Sequence, residues 1–327
     1  MGRPASADPV APVLPLSAGL PAAVPSPADP TTHPAHHSHR PVALPAGLAL
    51  AGGELVATAW VRPLNGDDEE WLAAQPPTRA GAAVVSELLA RTVVRLGPWA
   101  PPPPERLLDL PIADRDLLLL AVRTSTYGHR FDVVLSCAAC ERPMDVSFAA
   151  GDIPVQSCRT PDAPLPTALP DGRGGVLEVA LRPPNGRDQE AVAAAAAAGD
   201  PTPPVELLLQ RCLVGVGGGP GGADGWERLP VPARGALAAA VDDASAKVEL
   251  AMDLSCPECG VDFEADLDLA GYVLDEFLAP AGTVLYELHL LATAYHWSEH
   301  TIMSMPSPRR RALAGLVAQD LRAKGHG

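Results

Sequence analysis

"LSCPECGVDFEAD", Leu254–Asp266, decides how this chain is read. It holds a Cys-x-x-Cys pair, Cys256 and Cys259, followed by residues that alternate between apolar and polar as a half-buried strand does. Tetrahedral zinc takes four ligands, and this stretch supplies two. No cysteine or histidine follows at zinc-finger spacing. The other candidates lie upstream, where "LSCAAC" from Leu135 echoes "LSCPEC" from Leu254 at an offset of 119.

That echo has company. "VRPLNGDDEEWLA" from Val61 returns as "LRPPNGRDQEAVA" from Leu181, and "ELLARTVV" from Glu87 as "ELLLQRCLV" from Glu206. "LPIADRDLLLLAV" from Leu110 returns as "LPVPARGALAAAV" from Leu229. Four matches in one order at an offset of 119 or 120 predict a tandem duplication, each copy closing on a Cys-x-x-Cys. Two like copies packed about a pseudo-twofold axis would bring their hairpin tips together. Cys137, Cys140, Cys256 and Cys259 are therefore expected to hold one structural Zn²⁺ through four thiolates at about 2.3 Å. Such an ion adds on the order of 10 kcal/mol to folding, which suits copies with modest cores. A redox pair is the competing reading, but redox Cys-x-x-Cys pairs usually open a helix, and these sit between strands.

The expected fold is α+β: a strand–helices–β-hairpin unit present twice, joined by a four-cysteine, zinc-ribbon-like site and followed by a C-terminal helical segment. Each copy starts with an alternating strand ("ELVATAWVRPL", "GVLEVALRPP") closed by an Asn-Gly turn, Asn65-Gly66 or Asn185-Gly186. An acidic helix start follows, with Asp67, Asp68, Glu69 and Glu70 read as a solvated first turn. Further helices are expected near 82–96 and 112–126, and near 203–214 and 232–245. "PWAPPPPE" and "GGGPGGADGWE" between them are expected to be loops. The boundaries are a disordered Pro/Ala/His-rich tail (1–45), repeat one (46–158), a linker (159–174), repeat two (175–268) and the C-terminal segment (269–327). In that last segment, Ser298 and Ser307 are expected to cap helices, with Pro308 at the first helical position.

Composition narrows the function classes. The 327 residues carry a net charge of −15 and only two lysines, Lys247 and Lys324, so nucleic acid and anionic membranes are poor partners. "PRRR", Pro308–Arg311, is the nearest thing to a basic patch. There is no visible signal peptide and no run of about 18 apolar residues, so a cytoplasmic protein with reduced cysteines is expected.

The remaining motifs carry little chemistry. "HWSEH", His296–His300, matches the HxxEH pattern of zinc peptidases. Ser298 as a helix cap would break the shared face that both histidines need. "GGGPGG" contains GxGxxG (Gly217, Gly219, Gly222), but Pro220 interrupts it and it is expected to follow a helix rather than a strand. His33, His36, His37 and His39 lie in the tail, and Cys158 and Cys212 lack partners at matching positions. No catalytic constellation stands out, and no small-molecule substrate is expected.

Two stretches carry a family likeness: "CPECGVDFEADLDLAGYVLDEF" and "LYELHLLATAYHWSEHTIMSMPSPRRRALAGLV". They resemble the C-terminal half of baseplate hub and hub-assembly proteins of T-even-type contractile phage tails and phage-tail-like injection systems. "VRPLNGDDEEWL" is similar to that family's opening strand and turn. The family pattern has Leu where Met305 stands and bulky residues where Ala314-Gly315 stands, and it leaves the positions of His296 and His300 free. The resemblance implies a non-enzymatic baseplate component or assembly factor whose partners are other baseplate or hub proteins. Tyr295, Trp297, Ile302 and Met303 form an apolar cluster that could anchor such a partner. The alternative is a cytoplasmic zinc-ribbon adaptor of unrelated machinery that touches nucleic acid, which the acidic charge disfavours.

Overall fold

Asn65 and Asn185 are the only asparagines in the chain, and each starts a helix instead of closing a turn. The computed structural model describes residues 39–50, 52–76, 78–79, 81–158, 164–278 and 282–325. In its first half, β1 (Arg40–Ala49), β2 (Leu55–Val61), α1 (Gly66–Ala73), α2 (Gly81–Thr92) and β3 (Val93–Leu96) are followed by α3 (Pro104–Leu108) and α4 (Ile112–Tyr127). The hairpin β4 (Arg130–Ser136) and β5 (Pro143–Ala149) comes next, then a short strand, β6 (Val155–Gln156). The second half runs β7 (Leu165–Pro170), β8 (Val176–Leu181), α5 (Gly186–Ala197), α6 (Pro204–Cys212), β9 (Leu213–Val216), β10 (Gly219–Pro220), α7 (Gly222–Arg228) and α8 (Val231–Asp243). It ends in β11 (Lys247–Val248) and the hairpin β12 (Leu250–Ser255) and β13 (Asp262–Leu267). Helices α9 (Leu269–Leu278), α10 (Gly282–Tyr295), α11 (Glu299–Met303) and α12 (Ser307–Gly325) close the chain.

The fold is mixed α and β, and the two halves share local detail. β2 lies antiparallel between β1 and β3, as β8 lies between β7 and β9, with a register shift at Trp60/Val61 and at Ala180/Leu181. Both asparagines form a capping box with the aspartate three residues on, Asp68 or Asp188. Each aspartate also receives an arginine from the strand end, Arg62 at 2.5 Å or Arg182 at 2.6 Å. Asp68 is buried by these contacts and Glu69 by its pairing with Arg310 and Arg311, so the first turn of α1 is only partly solvated.

Several expected boundaries move. β1 begins at Arg40, inside the stretch assigned to the tail, because Arg40–Ala43 pair along β2 and the alternate residues Val42 and Leu44 enter the core. Residues 1–38, with His33, His36 and His37, lie outside the described residues; His39 is exposed. β7 (Leu165–Pro170) falls inside the expected linker, and residues 159–163 lie outside the described set. The helix expected over 82–96 stops at Thr92: the β-branched run Thr92-Val93-Val94 favours extended backbone and continues as β3. The Pro-rich and Gly-rich connections contain the short helices α3 and α7.

Each half has its own core. The first gathers Leu64, Leu88, Leu89, Leu96, Leu118 and Phe131, and it also takes Leu269, Val273, Leu274 and Phe277 from α9. The C-terminal segment is therefore divided, since α9 completes the first core while α10–α12 build a small one around Leu291, Ile302 and Val317. The second half packs around Leu181, Leu213, Trp226 and Leu237. No single helix among the described residues is long and apolar enough to cross a membrane.

Two proline-led helix starts lock these parts together. Pro111 bridges Asn185, and the Ile112 N–H donates to the Pro184 carbonyl at 3.2 Å. Arg115, fully buried, then reaches Gln189 of α5 at 3.1 Å, Ser86 of α2 at 2.8 Å and the Leu107 carbonyl at 3.0 Å. Gly186 must be glycine here, because a Cβ would sit 2.6 Å from the Arg115 guanidinium. Pro306 bridges Asn65 in the same way, with the Ser307 N–H donating to Leu64 at 2.8 Å. Arg310, also fully buried, pairs with Glu69 and with Glu287 of α10. Ser307 does not cap through its side chain: the hydroxyl is buried without a hydrogen bond, and the backbone amide makes the contact.

Candidate metal centre

Each Cys-x-x-Cys sits in the tight turn of a hairpin. In β4–β5 the Cys137 N–H donates to Arg142 at 3.0 Å and the Glu141 N–H donates back to Cys137 at 2.9 Å. In β12–β13 the Cys256 N–H donates to Val261 at 3.0 Å and the Gly260 N–H to Cys256 at 2.9 Å. Both returns need positive φ, +58° at Glu141 and +71° at Gly260. Glycine adopts this freely and glutamate at a cost.

The two turns meet. Sγ of Cys137 lies 3.7 Å from Sγ of Cys259, Sγ of Cys140 lies 3.7 Å from Sγ of Cys256, and all four sulfurs lie within 4.8 Å of one another. A disulfide would need about 2.05 Å. A tetrahedron of sulfurs about 2.3 Å from a central ion has edges of about 3.8 Å, so these spacings suit four thiolates around one cation. Cys137 and Cys256 are buried, Cys140 is half-buried and Cys259 is exposed. The site can hold a metal ion.

Its electrostatics point the same way. Backbone N–H groups of Cys140 and Ala139, the latter 3.4 Å from the sulfur, bring the Cys137 thiol down to about 7. The Arg142 N–H also lowers Cys140, but burial and the surrounding sulfurs outweigh it and push that thiol up to about 12. Four sulfurs this close cannot all ionise by themselves. A bound cation reverses that balance and takes all four as thiolates.

Helix α9, which follows the second hairpin, is braced against the first hairpin. The Tyr272 hydroxyl on α9 donates to the Asp132 carbonyl at 3.0 Å, and Phe131 stacks on Phe148 at 4.9 Å beneath it. β6 pairs with β11, Val155 opposite Val248, which ties the exits of the two halves.

The other sequence candidates are separated from this centre. Ile302 and Met303 are buried, and Met303 Sδ covers Gly66 so closely that a Cβ there would lie 2.7 Å away. Tyr295 and Trp297 stay 40% and 37% exposed and stack at 4.7 Å. The expected four-residue anchor is therefore two inward residues and one outward aromatic pair. His296 has a φ of +54° between α10 and α11, and Ser298 caps α11 by accepting from Thr301, so His296 and His300 share no helix. The GxGxxG stretch does follow a strand, β9, contrary to expectation, and α7 opens at Gly222. β10 folds back antiparallel on β9, Gly217 and Gly222 hold positive φ of +56° and +64°, and Gly221 lacks room for a Cβ against the Leu213–Val214 backbone, so turn geometry and close packing account for this glycine run. Cys212 is buried, with its thiol pushed up to about 12 by burial, and Cys158 donates to the Ala244 carbonyl at 3.2 Å.

The residues that sequence reasoning missed are the two Arg-Pro-x-Asn-Gly cradles and the arginines seated in them. Their signal was present as the strongest echo in the chain, and its Asn-Gly was read as a turn. The chain matches no protein-family model, no curated protein and no solved structure.

Proposed function

We propose that this chain is a non-enzymatic structural or assembly component of the baseplate of a contractile, phage-tail-like injection system, held rigid by one structural Zn²⁺. Cys137, Cys140, Cys256 and Cys259 would hold the ion with no position left for substrate. The observation that carries the rigid-scaffold part is the convergence of two distant hairpin turns on one tetrahedron of sulfurs. The likeness of "CPECG…" and "LYELHLLATAYHWSEH…RRRALAGLV" to hub and hub-assembly proteins supports the baseplate part. The shared element order, capping boxes and Arg–Asp pairs support a tandem duplication as the origin of the two halves. Its partners are then other baseplate or hub proteins, met in the cytoplasm.

The test is co-purification of the tagged chain from its native host, followed by mass spectrometry. Sheath, tube, spike or hub proteins in the eluate support the reading. Their absence from both finished particles and assembly intermediates defeats it. Salt-sensitive retention of DNA or RNA instead would favour the zinc-ribbon adaptor.

A further inference from the structure

The docked helix starts of α4 and α12 share a pattern: "LPIADR", Leu110–Arg115, and "MPSPRR", Met305–Arg310. In each, a proline bridges a cradle asparagine and an arginine four residues later pairs with the residue four past that asparagine, Gln189 or Glu69. The chain contains the pattern a third time, as "LPVPAR", Leu229–Arg234, at the start of α8. Pro230 has φ −65° and ψ 154°, close to the −53° and 153° of Pro111.

This third start faces no cradle. Both asparagines of the chain are already engaged, by Pro111 and Pro306. Val231 is 80% exposed, whereas Ser307 at the same place is fully buried and Ile112 is half-buried. Arg234 folds back on its own half, 5.1 Å from Trp226, and donates to the Leu229 carbonyl. An apolar β-branched side chain left this exposed beside a proline stands where its two docked counterparts are buried or half-buried.

Charge says what kind of cradle fits. In the α4 dock, Asp109, two residues before Pro111, pairs at 2.7 Å with Arg187, two residues after Asn185. Arg228 stands in the place of Asp109 before Pro230. A complementary cradle therefore carries an acid where Arg187 stands, as this chain's own Asn65 cradle does with the exposed Asp67.

We propose that the edge Arg228–Arg234 docks a partner protein presenting an acidic cradle of the pattern Arg-Pro-x-Asn-Gly-(Asp/Glu)-Asp-(Glu/Gln). The contact is heterologous, so it adds a different subunit instead of closing a symmetric dimer. It deepens the assembly reading by naming the partner's chemistry. The test uses purified protein, so its failure leaves the co-purification result untouched.

The probe is this chain carrying Ser307→Arg, which expels α12 from the Asn65 cradle without altering the cradle, together with Val231→Asp, which disables the probe's own α8 edge. Sedimentation velocity of the probe mixed with labelled wild-type chain is expected to show a one-to-one complex. Val231→Asp in the wild-type component should weaken it by about tenfold or more, the worth of one buried valine. Arg228→Glu should do the same, with Asp67→Arg in the probe restoring affinity. If Ser307→Arg does not fold, Pro306→Glu opens the same cradle. A folded, metal-loaded probe that binds no wild-type chain overturns the proposal. So does binding insensitive to Val231→Asp, or binding lost only when the wild-type component's α12 start is altered, which would report exchange of α12.

Discussion

The sulfurs of Cys137 and Cys259 lie 3.7 Å apart across a sequence separation of 122 residues. Nothing in either hairpin alone holds them there. Four thiols converging on one point gain little from one another, and they gain on the order of 10 kcal/mol from a cation that takes all four.

Removing one ligand should therefore cost far more than its side chain suggests. Cys256→Ser or chelation is expected to release one equivalent of zinc per chain and to lower the melting temperature sharply. Cys158→Ser should leave both unchanged. Elemental analysis with thermal denaturation checks this, and retention of full stability in the Cys256→Ser chain would rule out the staple.

Glu141 holds a left-handed conformation that its counterpart Gly260 adopts freely. Glu141→Gly is expected to stabilise the protein by about 0.5–1 kcal/mol with metal content unchanged, because relief of strain exceeds the added freedom of the unfolded chain. Gly260→Glu should destabilise it. Urea denaturation of the metal-loaded proteins reads both.

Arg310 sits fully buried between Glu69 and Glu287. Arg310→Ala leaves Glu69 with Arg311 at 2.5 Å but leaves the buried Glu287 with Arg311 alone, 4.0 Å away, and should cost about 3–5 kcal/mol at neutral pH. The deficit should shrink as pH falls, because burial raises Glu287, and without Arg310 that carboxyl binds a proton more readily in the folded than in the unfolded chain. Chemical denaturation at pH 7.5 and pH 5 measures the difference.

Asp116 on α4 is raised to about 7 by burial, with Arg115 opposing and Asp268 adding to the shift. Because the folded value exceeds the unfolded one, the charged form strains the fold. That strain is absent below about pH 4, the unfolded carboxylate value, and is fully present above about pH 7. Asp116→Asn should therefore stabilise the protein at pH 8 by on the order of 2 kcal/mol and make little difference at pH 4. An equal gain at both pH values would remove charge as the cause.

Gly186→Ala should be worse than Asn185→Ala. The first drives a methyl into the Arg115 guanidinium and costs about 1–3 kcal/mol or more. The second loses a cap worth about 1 kcal/mol. Thermal melts of the two variants order them.

The sequence by itself determined the local pieces and the identity of the four sulfurs. Hairpins, helix caps at Ser298 and the echo between the halves are short-range, so alternation and spacing revealed them. It misjudged Asn65 and Asn185 because an Asn-Gly pair suits a turn and a helix cap equally well. Only the aspartate bound to the strand arginine chooses the cap. It also gave Ile302 and Met303 to a partner, since an apolar residue looks the same whether it covers Gly66 or faces water. The tertiary structure alone decided which proline-led start fills which cradle, and that one of the three starts is left open. Those assignments depend on contacts across as many as 242 residues, where chain geometry, and not local pattern, sets what meets what.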